Sequence, residues 1–168
     1  TYNMLKLTRQ LFSMKPHGSY TDYYERALYN HILASQNPED GMMCYFVPLR
    51  MGTKKTFSDP FNTFTCCVGT GIENHSKYNE NIFAEGADGS LYVKLFMPAE
   101  LDWSPNQIKL LLETKFPESD KVFFTVSAKK AKKDIIRASV SWYFLVGSVT
   151  RSYVEMANWR SQGLAHVI

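Results

Sequence analysis

Cysteine is scarce in this chain, with three residues in 168. A secreted disulfide framework favours even numbers at regular spacings, so the odd count argues against one and the thiols are expected to be reduced. That expectation points to the cytoplasm, with the periplasm as the alternative. Long apolar runs are also missing; none approaches the roughly 20 residues of a membrane span. Charge of one sign is lacking as well. The 19 basic and 16 acidic residues leave a net charge of +3, too small an excess to argue for a nucleic-acid or membrane-surface partner. No signal peptide precedes the first helical pattern, and the chain opens on Thr1 rather than Met, which reads as processing or truncation upstream.

What is present suits a packed protein. An apolar fraction of 45% supplies a core, and 168 residues allow one ordinary domain or two small partial ones. Aromatic residues make up 14%, which serves either a β core or a sugar-binding cleft.

The chain changes character near its middle. Met4, Leu5, Leu7, Leu11 and Phe12 fit one face of a helix from Tyr2 to Phe12. Pro16 and Gly18 break it. Thr21 or Asp22 can cap a second helix, "DYYERALYNHILASQ", with Tyr24, Leu28, Ile32 and Ser35 on one stripe. "MMCYFVPL" reads as an extended apolar segment, closed by Pro48 and Gly52. From Thr53 to Asn81 periodicity is poor, with a short helix expected over Gly71 to Tyr78. Strands follow: "LYVKLFM", "QIKLLLE", "KVFFTVSA", "IIRASVSWYFLV" and "SYVEM". Short strands at regular intervals predict an antiparallel sandwich. "AKKAKKD" reads as a lysine-rich, solvated hairpin turn, which protects a sheet edge.

Two of the three cysteines, Cys66 and Cys67, are neighbours. They fit either two small buried apolar groups or a soft-metal site, since thiolates bind Zn²⁺ well. Both could reach one ion if the backbone bends, and "VGTG" at Val68 to Gly71 supplies that freedom. Cys44 could be a third ligand, but in an apolar run it reads rather as a core residue. His75 serves as a ligand or as a surface or capping residue, and His17, His31 and His166 form no pattern. Glu25 shares its helix with Tyr23, Tyr24 and Tyr29. An acid near a helix start is favoured by the helix dipole; among tyrosines it can also hydrogen-bond sugar hydroxyls.

Five blocks in order, "TYNMLKLTRQLF", "YTDYYERALYNHILASQ", "CYFVPLRMG", "FTCCVGTGIENHSKY" and "LYVKLFMPAELDW", together resemble the β-L-arabinofuranosidase group of glycoside hydrolases, family 127. The resemblance implies an α+β chain: the end of an (α/α)₆ barrel catalytic domain over residues 1–88, then an antiparallel β-sandwich over 89–168, both incomplete. It implies hydrolysis of terminal arabinofuranose from plant-type glycans with retention, by a cysteine thiolate held at Zn²⁺. Carried onto this sequence, Cys66 is the nucleophile and a metal ligand, Cys67 a second metal ligand, and Glu25 and Tyr45 contact the sugar. A metal cation ionises a thiol that is otherwise mostly protonated at neutral pH.

The family's other two metal ligands, in a Glu-x-Cys segment, are expected upstream of Thr1, and its proton-donating glutamate further upstream. The expected partners are an arabinofuranosyl substrate and the missing amino-terminal part or a second chain. The region from Ile135 to Met156 departs from the family pattern. On this reading the isolated chain is inactive, and the competing function is a catalytically incomplete remnant or a carbohydrate-binding module.

Overall fold

The structure, a computed structural model, describes residues 1–119 and 121–127 with their side chains, together with the backbone of Ala128 and of three later strands. The chain divides into two compact units, Thr1–Glu80 and Asn81–Ile168.

In the first unit, helices α1 (Tyr2–Met14) and α2 (Gly18–Ala27) pack together. The buried face of α1 is Tyr2, Leu5, Thr8 and Phe12. Met4 and Leu7, assigned to that face from the sequence, are about half exposed. Thr8 takes their place, its hydroxyl donating 2.7 Å to the Met4 carbonyl, so a polar side chain is buried with its bond made locally. The chain leaves α1 through an extended Lys15. The cap of α2 is His17, not Thr21 or Asp22: its Nδ1 accepts from the Ser19 amide at 3.2 Å. Thr21 lies inside the helix with its hydroxyl on the Gly18 carbonyl, and Asp22 pairs with Arg26 one turn on. The helix continues through a π-helical turn, Leu28–Ile32, and a 3₁₀ turn, Leu33–Ser35. The expected stripe is kept through both, with Tyr24, Leu28, Ile32 and Ser35 all buried.

"MMCYFVPL" does not form a continuous strand. It makes two isolated bridges, Gln36 to Met43 and Cys44 to Phe57, because Pro48 and the exposed Phe46 and Leu49 offer no ladder to extend. Helix α3 runs over Cys66–His75, five residues earlier than the expected start at Gly71. The "VGTG" step is helical, not a flexible bend. Helix α1 also contacts α3.

In the second unit, eight strands among the described residues form two four-stranded sheets. One has the order β1 (Phe83–Glu85), β2 (Leu91–Val93), β6 (Ile136–Val140), β7 (Ser152–Met156). The other has the order β3 (Ala99–Trp103), β4 (Ile108–Thr114), β5 (Val122–Ala128), β8 (Ala165–Val167). All ladders are antiparallel except β2 with β6, which is parallel. The strand expected over "LYVKLFM" ends at Val93. On β4, Ile108, Leu110 and Leu112 are fully buried, while Lys109, Leu111 and Glu113 face out. That period-two pattern is what a half-buried strand demands. Phe124 of β5 packs edge-to-face on Phe96, ring centroids 6.4 Å apart. The lysine-rich turn and the end of "IIRASVSWYFLV" lie outside the described residues. Among those residues no helix is long and apolar enough to cross a membrane.

Candidate functional site

The approach to α3 is organised by Asp59. Its Oδ1 accepts from the amides of Phe61 at 2.9 Å and Asn62 at 2.6 Å, and its Oδ2 accepts from the Thr63 hydroxyl at 3.0 Å. The Asn62 and Phe61 amides hold this carboxyl below the usual aspartate range. Thr65 then ends the loop in extended backbone, and its carbonyl receives the Val68 and Gly69 amides as the helix begins.

Cys66 and Cys67 are therefore the first two residues of α3, and both are solvent-exposed. Their sulfurs lie 4.0 Å apart. Two thiolates on one tetrahedral Zn²⁺, at Zn–S of about 2.3 Å, sit about 3.8 Å apart. The pair thus fits one soft cation without rearranging the backbone. The free amides of a helix start favour a thiolate. The Cys67 thiol is nevertheless pushed above its ordinary value, first by desolvation and then by Cys66. Two anions this close resist joint ionisation unless a cation lies between them. All three cysteines are unbridged. Cys44 is buried, its thiol directed at the Phe46 carbonyl 2.7 Å away, as a core residue should be.

Cys67 and Tyr45 line the same cavity, of about 90 Å³. Along α3 the wall is Cys67, Thr70, Gly71 and Asn74, one stripe at helical spacing. Opposite lie Met43 and Tyr45, with Thr1, Tyr2 and His31 at the start of α1 and on the π-helical turn. Thr1 Oγ1 and His31 Nδ1 are 2.6 Å apart. Met43 and Tyr45 also form part of a second cavity, of about 420 Å³, with Phe46, Phe57 and Thr65. Met43 and Tyr45 are the shared wall.

Glu25 is not brought to these cavities. It is buried within α2 at 2% exposure and lines neither of them. His75 ends α3 exposed, its ring edge-to-face with Tyr78 at 5.4 Å. Sequence reasoning passed over His31 and Asn74. The spacing of Asn74, seven residues after Cys67, was the available signal, but it counts only once the helix is known to start at Cys66. Among the described residues no three metal-binding side chains cluster, so the thiol pair supplies two of the four donors a closed zinc site needs.

A helical unit with a thiol pair at a helix start, one thiol on a cavity, followed by a unit of two small sheets, defines the class: part of a helical domain continued by a β domain. Residues 1–80 match the family described as beta-L-arabinofuranosidase, GH127 catalytic domain, and residues 90–151 match the beta-L-arabinofuranosidase, GH127 middle domain. The chain belongs to the GH127 family. No curated protein matches it. Among solved structures it is similar to Ara127N-Se, a GH127 beta-L-arabinofuranosidase from Geobacillus stearothermophilus T6, with a TM-score of 0.71 at 19% identity over 99% of this chain and 31% of that one. A structure described as a glycoside hydrolase gives a TM-score of 0.72 at 13% identity over 94% of this chain and 30% of its own. The chain thus spans under a third of the length of these two proteins, and the likeness to them is one of fold.

Proposed function

We propose that the whole protein is a retaining glycoside hydrolase that removes terminal β-L-arabinofuranosyl residues from plant-type glycans, with Cys66 as nucleophile. Membership of GH127 supports the carbohydrate substrate, and the helical unit is read as part of an (α/α)₆ barrel. The observation that carries the nucleophile is the exposed thiol pair, 4.0 Å between sulfurs, at the start of α3, where Cys67 lines a cavity walled by Tyr45 and Cys66 lies next to it in sequence, outside the lining.

Cys66 and Cys67 would hold Zn²⁺, with the remaining donors supplied from outside the described residues. Thr1 and Tyr2 share the Cys67 cavity, so groups joined to the start of α1 would enter beside the thiols. Bound there, the ion supplies the positive charge that keeps the thiols ionised. The Cys66 sulfur attacks the anomeric carbon as the bond to the leaving oxygen breaks, and a general acid outside these residues protonates that oxygen. Water, giving a proton back to that same general acid, now a base, then displaces sulfur from carbon, returning the thiolate and releasing the sugar with its configuration retained. Tyr45 offers a ring face and a hydroxyl at the cavity wall. Glu25 enters as a second sugar contact on the resemblance alone. Reduced thiols suit a cytoplasmic setting.

The test is hydrolysis of an aryl β-L-arabinofuranoside by the zinc-loaded whole protein. Cys66→Ser is expected to abolish turnover and keep the helical circular dichroism. Wild-type rates in that variant, or no cleavage by the wild type, would overturn the assignment.

A further inference from the structure

Asn74 is 2% exposed, yet its Oδ1 has no hydrogen-bond partner. A buried acceptor left unpaired costs about 1–3 kcal/mol, so native proteins rarely keep one without a use. Asn74 forms part of the wall of the 90 Å³ cavity that Cys67 opens onto. Three of the neighbouring hydroxyls already have partners: Ser35 donates to the Ile32 carbonyl, Thr70 to the Cys67 carbonyl, and Thr1 pairs with His31. The cavity therefore offers an acceptor with no partner of its own. An acceptor in a small cavity selects a neutral donor, a hydroxyl, and disfavours a carboxylate or phosphate.

Size narrows the ligand further. A cavity of about 90 Å³ is small, with room for the hydroxylated edge of one sugar. Seven residues separate Asn74 from Cys67, about 10 Å along the helix axis. Cys67 and Asn74 both line the cavity, so a sugar seated there lies between them.

We propose that Asn74 is a specificity-determining residue of the Cys67 cavity, its Oδ1 accepting a hydrogen bond from a hydroxyl of the single sugar held there. The inference rests on the arabinofuranosidase reading above and adds a role for a residue that reading does not use.

The test uses the whole, zinc-loaded protein, with Asn74→Leu as an isosteric variant that lacks the acceptor. KM for an aryl β-L-arabinofuranoside is expected to rise about tenfold, with kcat changing less than about threefold. Without ligand, Tm is expected to hold or rise, because an unpaired buried polar group has been removed. A fall of several degrees would mean that the oxygen has a structural partner, such as a buried water, and would overturn the proposal. Monodeoxy arabinofuranosides guard against a folding defect. One of them should bind the wild type about tenfold more weakly and bind Asn74→Leu no worse than the parent sugar. Equal losses in both proteins, or no sensitive hydroxyl in the wild type, would also overturn it. A wild type that cleaves no arabinofuranoside defeats the underlying reading; cleavage with unchanged KM in Asn74→Leu defeats this inference alone.

Discussion

Gly71 and Met43 are in a contact that leaves no room for a β-carbon at position 71 unless Met43 shifts. A β-carbon at position 71 would stand 2.4 Å from the Met43 Cε, 3.0 Å from its Cγ and 3.2 Å from its Sδ. Met43 is 3% exposed, and its side chain would have to shift towards the cavities it lines to admit that carbon. The missing side chain lets the 42–45 segment lie flat on α3, which puts Tyr45 on the same cavity as Cys67.

Gly71→Ala should therefore destabilise, although alanine is the better helix former by about 1 kcal/mol. Overpacking of about 1–3 kcal/mol works against that gain. Urea denaturation of Gly71→Ala, Met43→Ala and the double variant checks the origin. The double variant is expected to be more stable than the sum of the two single effects. Strict additivity would show that the two side chains do not compete for space.

The thiol pair should bind metal as a unit. With Zn²⁺ present, Cys66 and Cys67 are expected to resist alkylation together, and a chelator should release both. Cys44 should stay slow in either state, because it is buried. Mass mapping of the alkylated sites decides the matter. Protection of Cys44 along with the pair would point instead to a structural site built from all three.

Asp59 gives a pH prediction. Its folded pKa is depressed, so the Asp59–Thr63 turn is favoured fully above the unfolded aspartate value of about 3.8 and is lost as pH falls through the lower folded value. The Phe61 and Asn62 amide resonances should shift with an acid midpoint below 3.8. A midpoint at or above that value would show the two amides are not bound to the carboxylate. Asp59→Asn should weaken the turn at neutral pH and remove this titration.

In the second unit, Leu110→Ala should cost about 3 kcal/mol, the usual loss for a fully buried leucine. Leu111→Ala, one residue on and 39% exposed, should cost under about 1 kcal/mol. Denaturant midpoints of the two variants compare them directly. Equal losses would mean β4 does not sit in this register.

What was legible in the sequence was what one element's own period encodes. Tyr24, Leu28, Ile32 and Ser35 recur at helical spacing, and the structure buries all four, even across a π-helical turn that loosens the backbone. Ile108, Leu110 and Leu112 alternate, and β4 buries them together. The start of α3 was hidden because Gly69 and Gly71 read as breakers, whereas Gly71 is glycine to make room for Met43. The His17 cap was hidden because histidine is an uncommon capping residue, and Ser19, two residues on, supplied the amide. At the site, the vicinal thiols were conspicuous as residue types. The link between Cys67 and Asn74 was not, since it depends on where a helix begins and on which neighbours it meets. Partner choice between strands was equally hidden, because pairing is decided by the tertiary fold rather than by the strand itself.

The parallel ladder of β2 with β6 carries a consequence for biosynthesis. Between Val93 and Ile136 the chain lays down β3, β4 and β5, three strands of the other sheet. As the ribosome delivers the chain, β2 has only β1 beside it until residue 136 emerges, so its second edge stays open through that interval. A nascent chain stalled near Ala128 would expose Leu91 and Val93 without their later neighbour. Chaperone contact during synthesis should therefore concentrate on those stalled lengths.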